Sequence, residues 1–240
     1  MPRFFVNAVA GEDVVITGED AAHISRSLRM REGERLTVCD GTSDHSCVIR
    51  MLSPDAVYLR VEDSRPTVSE PNVRVTLYQG YPKGDKLETV MQKAVELGVG
   101  AVVPVVTSRS VARPDDKSAK KRLERWQRIS LEAAKQSGRG RVPEIGELCD
   151  FRAMLSRVHS HGLFIYCYEN GGQPLSRLLA GSPSDIGLFI GPEGGISAGE
   201  ADALDASGAF PATLGSRILR TETAPVAALA VIMALTGNLE

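Results

Sequence analysis

From residue 73 to the end, the sequence alternates apolar runs of strand length with segments that have a helical pattern. Such alternation favours a parallel β-sheet covered by helices, because each crossover between parallel strands needs a connecting helix. The clearest helical segment spans residues 85–98, and its apolar positions recur at i, i+3, i+4, i+7 and i+8. These positions are Leu87, Val90, Met91, Ala94 and Val95. This part of the chain is therefore predicted to form an α/β domain with a mainly parallel sheet.

The first 70 residues follow a different pattern. Five short β-type runs are separated by turn residues, which is typical of a small barrel or sandwich, and residues 19–28 predict one short helix. Residues 63–72 are polar, carry two prolines and are interpreted as a linker. The sequence thus predicts a small β-barrel domain in residues 1–70 and an α/β domain in residues 71–240.

Three further helices are predicted in the second part. A basic helix is expected from about Ser118 to Ser137, and Ser197 and Glu200 have the spacing of a capping box that starts another. Residues 224–235 are apolar on most faces, so this last helix should be buried in a core or in a subunit interface.

Charge is distributed unevenly along the chain. Residues 109–141 contain eleven Lys or Arg and four Asp or Glu, a local net charge of +7 in a chain whose total is −2. This segment could steer a polyanion such as RNA, or it could be a solvated helix face with intrahelical ion pairs. Trp126 has helical spacing with Ile129 and Ala133 and is predicted to be a core or interface residue.

Metal and membrane sites are not predicted. The four cysteines form no C-x-x-C pair and are interpreted as free thiols. His159 and His161 lack neighbouring ligands at a spacing typical of a metal site, and both are predicted to be surface residues. The longest apolar stretch, residues 225–235, is too short to span a bilayer, and the N-terminus lacks the pattern of a signal peptide, so the protein is predicted to be cytoplasmic.

Two loops have the character of ligand-binding segments. GPEGGIS (residues 191–197) follows the apolar run IGLFI, and residues 214–225 follow another short strand. In open α/β sheets, ligands bind at the carboxyl ends of strands. GPEGGIS matches neither a phosphate loop nor a dinucleotide fingerprint, and its glutamate favours a cationic or neutral adenosine-type ligand. Residues 214–225 could alternatively be a plain strand-to-helix connection with a capping threonine.

Several stretches together resemble a known family. GPEGGIS and LGSRILRTETAPVAALA (residues 214–230) are similar to the 16S ribosomal RNA uracil-N3 methyltransferases, which belong to the SPOUT, or trefoil-knot, superfamily. Further matches are YPKGDKLETVMQKAVELGV, SRSV, and RWQRISLEAAKQSGR followed by VPEI, so the resemblance covers most of residues 78–235 in order. RSLRMREGERLTVCDG (residues 26–41) resembles that family's PUA-like barrel.

The resemblance implies a SPOUT-type α/β fold with a deep C-terminal trefoil knot, preceded by a PUA-like RNA-binding domain. It also implies that S-adenosylmethionine is the methyl donor, that the enzyme is a homodimer, and that the substrate is a uridine in the decoding region of 16S rRNA within the small ribosomal subunit. The residues expected to contact the donor are Tyr168, Glu169, Gly191, Pro192, Glu193, Gly194, Gly195, Leu214, Gly215, Ile218 and Leu219.

Arg220 is the residue expected to stabilise the uracil anion, held in place by Glu222 or Thr223. Glu193 and Glu222 are candidates for a general base, although Glu193 could instead anchor its turn. The residues expected to bind RNA are Arg26, Arg29 and Arg31 in the barrel, and Arg122, Arg125, Lys135, Gln136 and Arg139 in the basic segment. Two alternatives are a related knotted methyltransferase that acts on another RNA or on a ribose 2′-OH, and a non-catalytic ribosome assembly factor.

Overall fold

The computed structural model describes residues 1–114 and 118–239. The chain divides into two compact units, Met1–Glu70 with Ala134–Val142, and Pro71–Ala133 with Pro143–Glu240. The boundary after Glu70 coincides with the sequence-based division. Residues 134–142 differ, because they pack with the first unit although they follow it by more than sixty positions.

The first unit is built on a five-stranded sheet in the order β1-β3-β4-β5-β2. Its strands are β1 (Arg3–Phe5), β2 (Asp13–Thr17), β3 (Arg35–Cys39), β4 (Ser43–Leu52) and β5 (Ala56–Pro66). β1 pairs with β3 in parallel, and the other pairs are antiparallel. Two register shifts between β4 and β5 mark irregularities that bend a sheet.

The linker predicted at residues 63–72 is partly wrong. Asp63 to Pro66 continue β5 and pair with residues 43–46 of β4. These side chains are exposed, so the polar sequence carries no alternating strand pattern. The segment is held by the backbone ladder and by the Ser64 hydroxyl, which lies 2.8 Å from His45 Nδ1.

A short helix packs against β2 and β5 in the first unit. α1 (Gly18–Ala22) continues into a π-helical turn over His23–Ser27, which confirms the helix predicted at residues 19–28. Phe4, Ile24, Leu36, Ile49 and Leu59 are almost fully buried in the core that results.

The second unit contains a parallel sheet in the order β11-β13-β10-β12-β6-β7-β8, and β9 pairs with β7. Its strands are β6 (Arg74–Gly80), β7 (Ala101–Val106), β8 (Glu144–Ile145), β9 (Cys149–Asp150), β10 (Leu163–Cys167), β11 (Gln173–Pro174), β12 (Asp185–Ile190) and β13 (Phe210–Thr213). Every described pair is parallel. The carboxyl ends of all these strands therefore meet at one edge.

Six further α-helices lie within residues 71–114 and 118–239, and four of them were predicted from sequence, at residues 86–96, 119–137, 198–206 and 224–235. The six are α2 (Lys86–Glu96), α3 (Ala119–Ser137), α4 (Phe151–Leu155), α5 (Leu175–Leu178), α6 (Ala198–Ala206) and α7 (Ala224–Leu235). The predicted apolar stripe of α2 is buried, and the capping box of Ser197 and Glu200 is formed at the start of α6. Trp126 is buried and packs beside Tyr81, as predicted for a core residue.

The prediction that His161 is a surface residue is wrong. Only 8% of its side chain is exposed. Its Nε2 lies 2.9 Å from the Tyr78 hydroxyl and its Nδ1 lies 2.7 Å from Asp185 Oδ2. Gly187 makes room for the ring, because a Cβ at that position would lie 2.8 Å from the imidazole. His159 is exposed, as predicted.

Within residues 1–114 and 118–239, no three or more His, Cys, Asp and Glu side chains are arranged to hold a metal ion. The helices in these ranges include none that is both long enough and apolar enough to cross a membrane.

Candidate active site

The loops that follow β10, β12 and β13 enclose a cavity of about 590 Å³ at the carboxyl edge of the parallel sheet. These three strands are neighbours in the order β13-β10-β12, so the loops that leave them are brought together. A cavity of about 300–1,000 Å³ in this position is the usual size and place for a small-molecule ligand in an α/β fold.

All eleven residues expected to contact the methyl donor line this cavity, and so does Arg220. Sequence reasoning assigned no donor contact to several other lining residues. They are Cys167, Ile190, Ile196, Thr213, Ser216, Arg217, Thr221 and Ala224. Most of them lie next to a residue that was expected to contact the donor. The sequence therefore identified the loops that line the cavity, but not every residue of those loops that lines it.

The glycines of GPEGGIS are required by neighbouring parts of the protein itself. A Cβ on Gly194 would lie 2.9 Å from the Cβ and carbonyl oxygen of Arg109, and Gly195 has a φ of +71° and would collide with the Glu169 carboxylate. Arg109 Nη1 also donates to the Gly194 carbonyl oxygen at 2.9 Å. These protein contacts alone therefore require glycine at both positions.

The far end of the same loop is fixed by Glu200. Its carboxylate accepts hydrogen bonds from the Ser108 N–H at 2.8 Å and the Ser197 N–H at 3.0 Å. Burial would raise the pKa of Glu200, but these backbone donors outweigh it and hold the pKa below its usual value. The far end of the loop is therefore joined both to the chain after β7 and to the start of α6.

Thr221 joins the two cavity loops. Its hydroxyl donates to the Gly191 carbonyl oxygen at 2.8 Å and accepts from Gln79 Nε2 at 3.1 Å. Both Thr221 and Gln79 are buried, and Gln79 lies on β6. Sequence analysis assigned a role to Thr223 and none to Thr221, because nothing in the local sequence of residues 220–223 (Arg-Thr-Glu-Thr) shows which threonine is buried.

We expect Thr221→Val to lower the free energy of unfolding by about 1–3 kcal/mol, because the buried Gln79 amide and the Gly191 carbonyl each lose a partner. The affinity for S-adenosylmethionine should fall as the loops separate. Thr221→Ser keeps the hydroxyl and should retain both properties. Chemical denaturation and calorimetric titration would measure the two, and wild-type values for Thr221→Val would contradict this role.

Glu222 does not hold Arg220, which corrects the sequence-based expectation. Glu222 Oε2 lies 3.4 Å from Lys86 Nζ, and among the described residues no ion pair or side-chain hydrogen bond joins Arg220 to Glu222 or Thr223. Thr223 is exposed, lies outside the cavity lining and begins α7 without a side-chain cap. Its link to Arg220 is between backbones, from the Thr223 N–H to the Arg220 carbonyl oxygen at 2.9 Å.

Glu193 is bound to the protein on two sides. Its Oε1 accepts from the Lys83 N–H at 3.1 Å and from Lys86 Nζ at 3.0 Å. Partial burial would raise the pKa of Glu193, but the backbone N–H groups and the Lys86 ammonium outweigh it and lower the pKa. The carboxylate is therefore ionised near neutral pH and is a weak proton acceptor.

The residues expected to bind RNA differ in their surroundings. Arg26, Arg29 and Arg31 are exposed on the first unit, and Gln136 is exposed near the end of α3. Arg125 pairs with Glu88 at 2.6 Å and stays largely exposed, whereas Arg122 is half-buried and donates to Ser118.

Lys135 and Arg139 are paired with acidic residues of the first unit, which argues against the RNA contacts predicted for them. Lys135 Nζ lies 2.9 Å from Asp20 Oδ1 and 5.3 Å from the centre of the Phe4 ring. The Arg139 side chain is 5% exposed, and its guanidinium donates to both carboxylate oxygens of Glu70 at 2.8 and 2.7 Å. Both side chains form ion pairs within the first unit, so their charges are not exposed to a polyanion.

Comparison with known proteins agrees with this geometry. The sequence model of an RNA methyltransferase domain matches residues 69–233, and that of an RNA methyltransferase PUA domain matches residues 16–62. The Bacillus subtilis ribosomal RNA small subunit methyltransferase E is 38% identical over 226 residues, which cover 90% of this chain and 88% of the relative.

Solved structures are similar over nearly the whole chain. The Neisseria gonorrhoeae ribosomal RNA small subunit methyltransferase E, bound to S-adenosylmethionine, has a TM-score of 0.89 and 33% identity, covering 98% of each chain. A Legionella pneumophila structure in complex with S-adenosylmethionine has a TM-score of 0.86 and 30% identity, covering 97% of this chain and 96% of that one. The predicted α/β domain with a mainly parallel sheet after a PUA-like domain is confirmed. The trefoil knot that the resemblance implies stays a prediction. The chain belongs to the ribosomal RNA small subunit methyltransferase E family.

Proposed function

We propose that this protein methylates N3 of a uridine in the decoding region of 16S rRNA, with S-adenosylmethionine as the methyl donor. Family membership supports the reaction class. The observation that carries the proposal is the position of Arg220, whose side chain lines the cavity and has no ion-pair partner among the described residues. An unpaired cation on the lining of a donor cavity is suited to stabilise an anion that forms during the reaction.

The cavity fits S-adenosylmethionine in size and in chemistry. When bound, S-adenosylmethionine supplies an electrophilic methyl group on a positively charged sulfur. The glycine-rich segments Gly191–Gly195 and Leu214–Gly215 bring backbone groups to the cavity surface, and Ile190, Ile218 and Leu219 supply apolar surface. The lining holds two acidic residues, Glu169 and Glu193, and two arginines, Arg217 and Arg220. Both signs of charge are therefore available to a ligand that carries a carboxylate, an ammonium and a sulfonium.

Arg220 would act on the uracil. N3 of uracil carries a proton at neutral pH and becomes nucleophilic only when that proton leaves, so negative charge develops on the ring and spreads to O2 and O4. A guanidinium that faces one of these oxygens stabilises that charge as it forms. The guanidinium also orients the uracil ring, and this raises the rate because N3 and the methyl group are aligned for transfer.

The general base is not Glu193 under this proposal. Its carboxylate is bound by the Lys83 N–H and the Lys86 ammonium, and its lowered pKa makes it a weak acceptor. The stabilisation that Arg220 gives to the anion lowers the pKa of N3, so that solvent can take the proton.

RNA would be held by four exposed arginines and the half-buried Arg122. Arg26, Arg29 and Arg31 in the PUA-like unit and Arg122 and Arg125 on α3 remain the residues proposed for phosphate contacts, with Gln136 nearby in the sequence. Such contacts supply affinity that falls with salt and carry little sequence information. Selection of one uridine would then depend on the shape of the rRNA around the cavity.

A homodimer is proposed from α7. All twelve of its residues are apolar. Ala228, Leu229 and Ile232 are buried in the second unit, whereas Val231 and Leu235 on another face are 41% and 48% exposed. Burial of such an exposed apolar helix face by a second subunit is favourable, because it removes apolar surface from water. Sedimentation of the purified protein as a monomer at all concentrations would contradict the dimer.

The proposed function is tested in cells that lack this protein. We expect 16S rRNA from such cells to lose one N3-methyluridine in the decoding region, and the wild-type gene to restore it. Purified protein with S-adenosylmethionine should methylate the same position in small subunits isolated from those cells. A modification that never changes would overturn the proposal and favour another RNA, a ribose 2′-OH or a role in assembly without catalysis.

A further inference from the structure

Lys86 lies between the carboxylates of the two cavity loops. Its ammonium is 3.0 Å from Oε1 of Glu193 in GPEGGIS and 3.4 Å from Oε2 of Glu222 in Arg-Thr-Glu-Thr. Lys86 is the first residue of α2, a helix that belongs to neither loop. One cation thus joins three segments of the chain. Lys86 and Glu193 are more than a hundred positions apart, and Glu193 and Glu222 are about thirty positions apart.

The arrangement is held by more than the ion pairs. The Lys83 N–H, just before α2, donates to the same Oε1 of Glu193 at 3.1 Å. Thr221, next to Glu222, donates to the Gly191 carbonyl at 2.8 Å, so the loops are also bonded to each other. Lys86 is 35% exposed, which keeps its charge hydrated and leaves the contact accessible to solvent.

Exposed ion pairs of this kind contribute little to overall stability, typically below about 1 kcal/mol. Here the ion pairs of Lys86 matter because they fix the positions of the two cavity loops. Without Lys86, Glu193 and Glu222 would be two negative charges near each other without a shared cation, and the loops that carry them would separate. Arg220 is two residues before Glu222, and displacement of the reacting groups by about 1 Å can cost about 100-fold in rate.

We propose that Lys86 is a positioning residue for methyl transfer, which acts by holding Glu193 and Glu222 together and thereby fixes Arg220 at the cavity. This inference rests on the proposed function. Lys86 itself does not line the cavity, so it acts through the two glutamates and not on the substrate.

The matched control is on the same helix. Lys93 is also a lysine of α2 and also forms an ion pair, with Glu96 at 2.9 Å, but neither residue lines the cavity. Lys86→Met and Lys93→Met each remove one charge and keep a similar side-chain length. Lys86→Arg keeps the charge, and Lys86→Gln is a second neutral variant if Lys86→Met does not fold.

The experiment measures steady-state methylation of unmodified small subunits, S-adenosylmethionine affinity by calorimetry, and hydrogen exchange of peptides covering residues 191–197 and 220–224. For Lys86→Met we expect kcat to fall by about 10- to 100-fold, with KM for the subunit within about twofold, because RNA-binding cations are untouched. Exchange in both peptides should become faster than in wild type. Lys86→Arg should recover part of kcat, and Lys93→Met should match wild type.

Wild-type kcat and wild-type exchange in Lys86→Met would overturn this inference. A rise in KM with unchanged kcat would also overturn it, because that result indicates a contact with RNA. Failure of the wild-type protein to methylate any subunit would instead overturn the proposed function, and this inference with it, so the two failures are distinguishable.

Discussion

Arg220→Ala is expected to lower kcat for methylation by about 100- to 1,000-fold, the range found when one electrostatic donor to a developing anion is removed. The side chain lines the cavity and, among the described residues, no acidic group is paired with it. Its charge is therefore available to the uracil when N3 loses its proton. The fold should be unaffected, because Arg220 is exposed and its backbone bonds to Thr223 and Ala224 remain.

Arg177→Ala is the matched control, since Arg177 is an exposed arginine of the same unit that lies on α5, away from the cavity lining. Lysine at position 220 should restore only part of the rate, because a point charge replaces the planar guanidinium. Single-turnover rates and thermal melting would separate chemistry from folding. Full activity in a folded Arg220→Ala protein would contradict the anion-stabilising role, and loss of S-adenosylmethionine binding alone would move Arg220 to the donor site.

The predictable part of the fold is the part that local patterns determine. The stripe of α2 shows in five apolar residues within one helix, and Ser197 and Glu200 are three positions apart, so both can be read directly. The cavity followed from the same kind of reasoning, because parallel strands must end at one edge and the loops after them must meet there. The family resemblance added the identity of the ligand.

The unpredicted part depends on partners that are distant in sequence. His161 bonds to Tyr78, which is 83 positions away, and Arg139 bonds to Glu70 across 69 positions. A histidine or an arginine with no local partner has the same appearance in sequence whether it is buried or solvated. Lys86 was missed for this reason, because the two glutamates that define its role lie on separate loops.

Arg139→Ala is expected to destabilise the first unit by about 3 kcal/mol, because loss of one partner leaves the largely buried Glu70 carboxylate without its counterion. Glu70 also accepts from the Gly140 N–H at 2.9 Å, so the change would loosen the chain around residues 139–141 as well. For a chain of this size the melting temperature should fall by roughly 6–12 °C. Differential scanning calorimetry and urea unfolding would measure the loss.

The comparison with Arg26→Ala separates stability from RNA binding. Arg26 is exposed on the same unit, so its loss should leave the melting temperature unchanged, weaken subunit binding and reduce the salt dependence of that binding by about one phosphate contact. Arg139→Ala should instead lower the melting temperature. When it is assayed below that temperature, its subunit binding and the salt dependence of that binding should be unchanged. A stable Arg139→Ala protein with weakened, less salt-dependent binding would mean that Arg139 leaves Glu70 to contact RNA, and that the buried pair is not the state that binds the ribosome.

Combining Arg139→Met with Glu70→Met removes both charges. Recovery of stability in that double variant would establish that the loss of stability in Arg139→Ala comes from the unpaired carboxylate of Glu70.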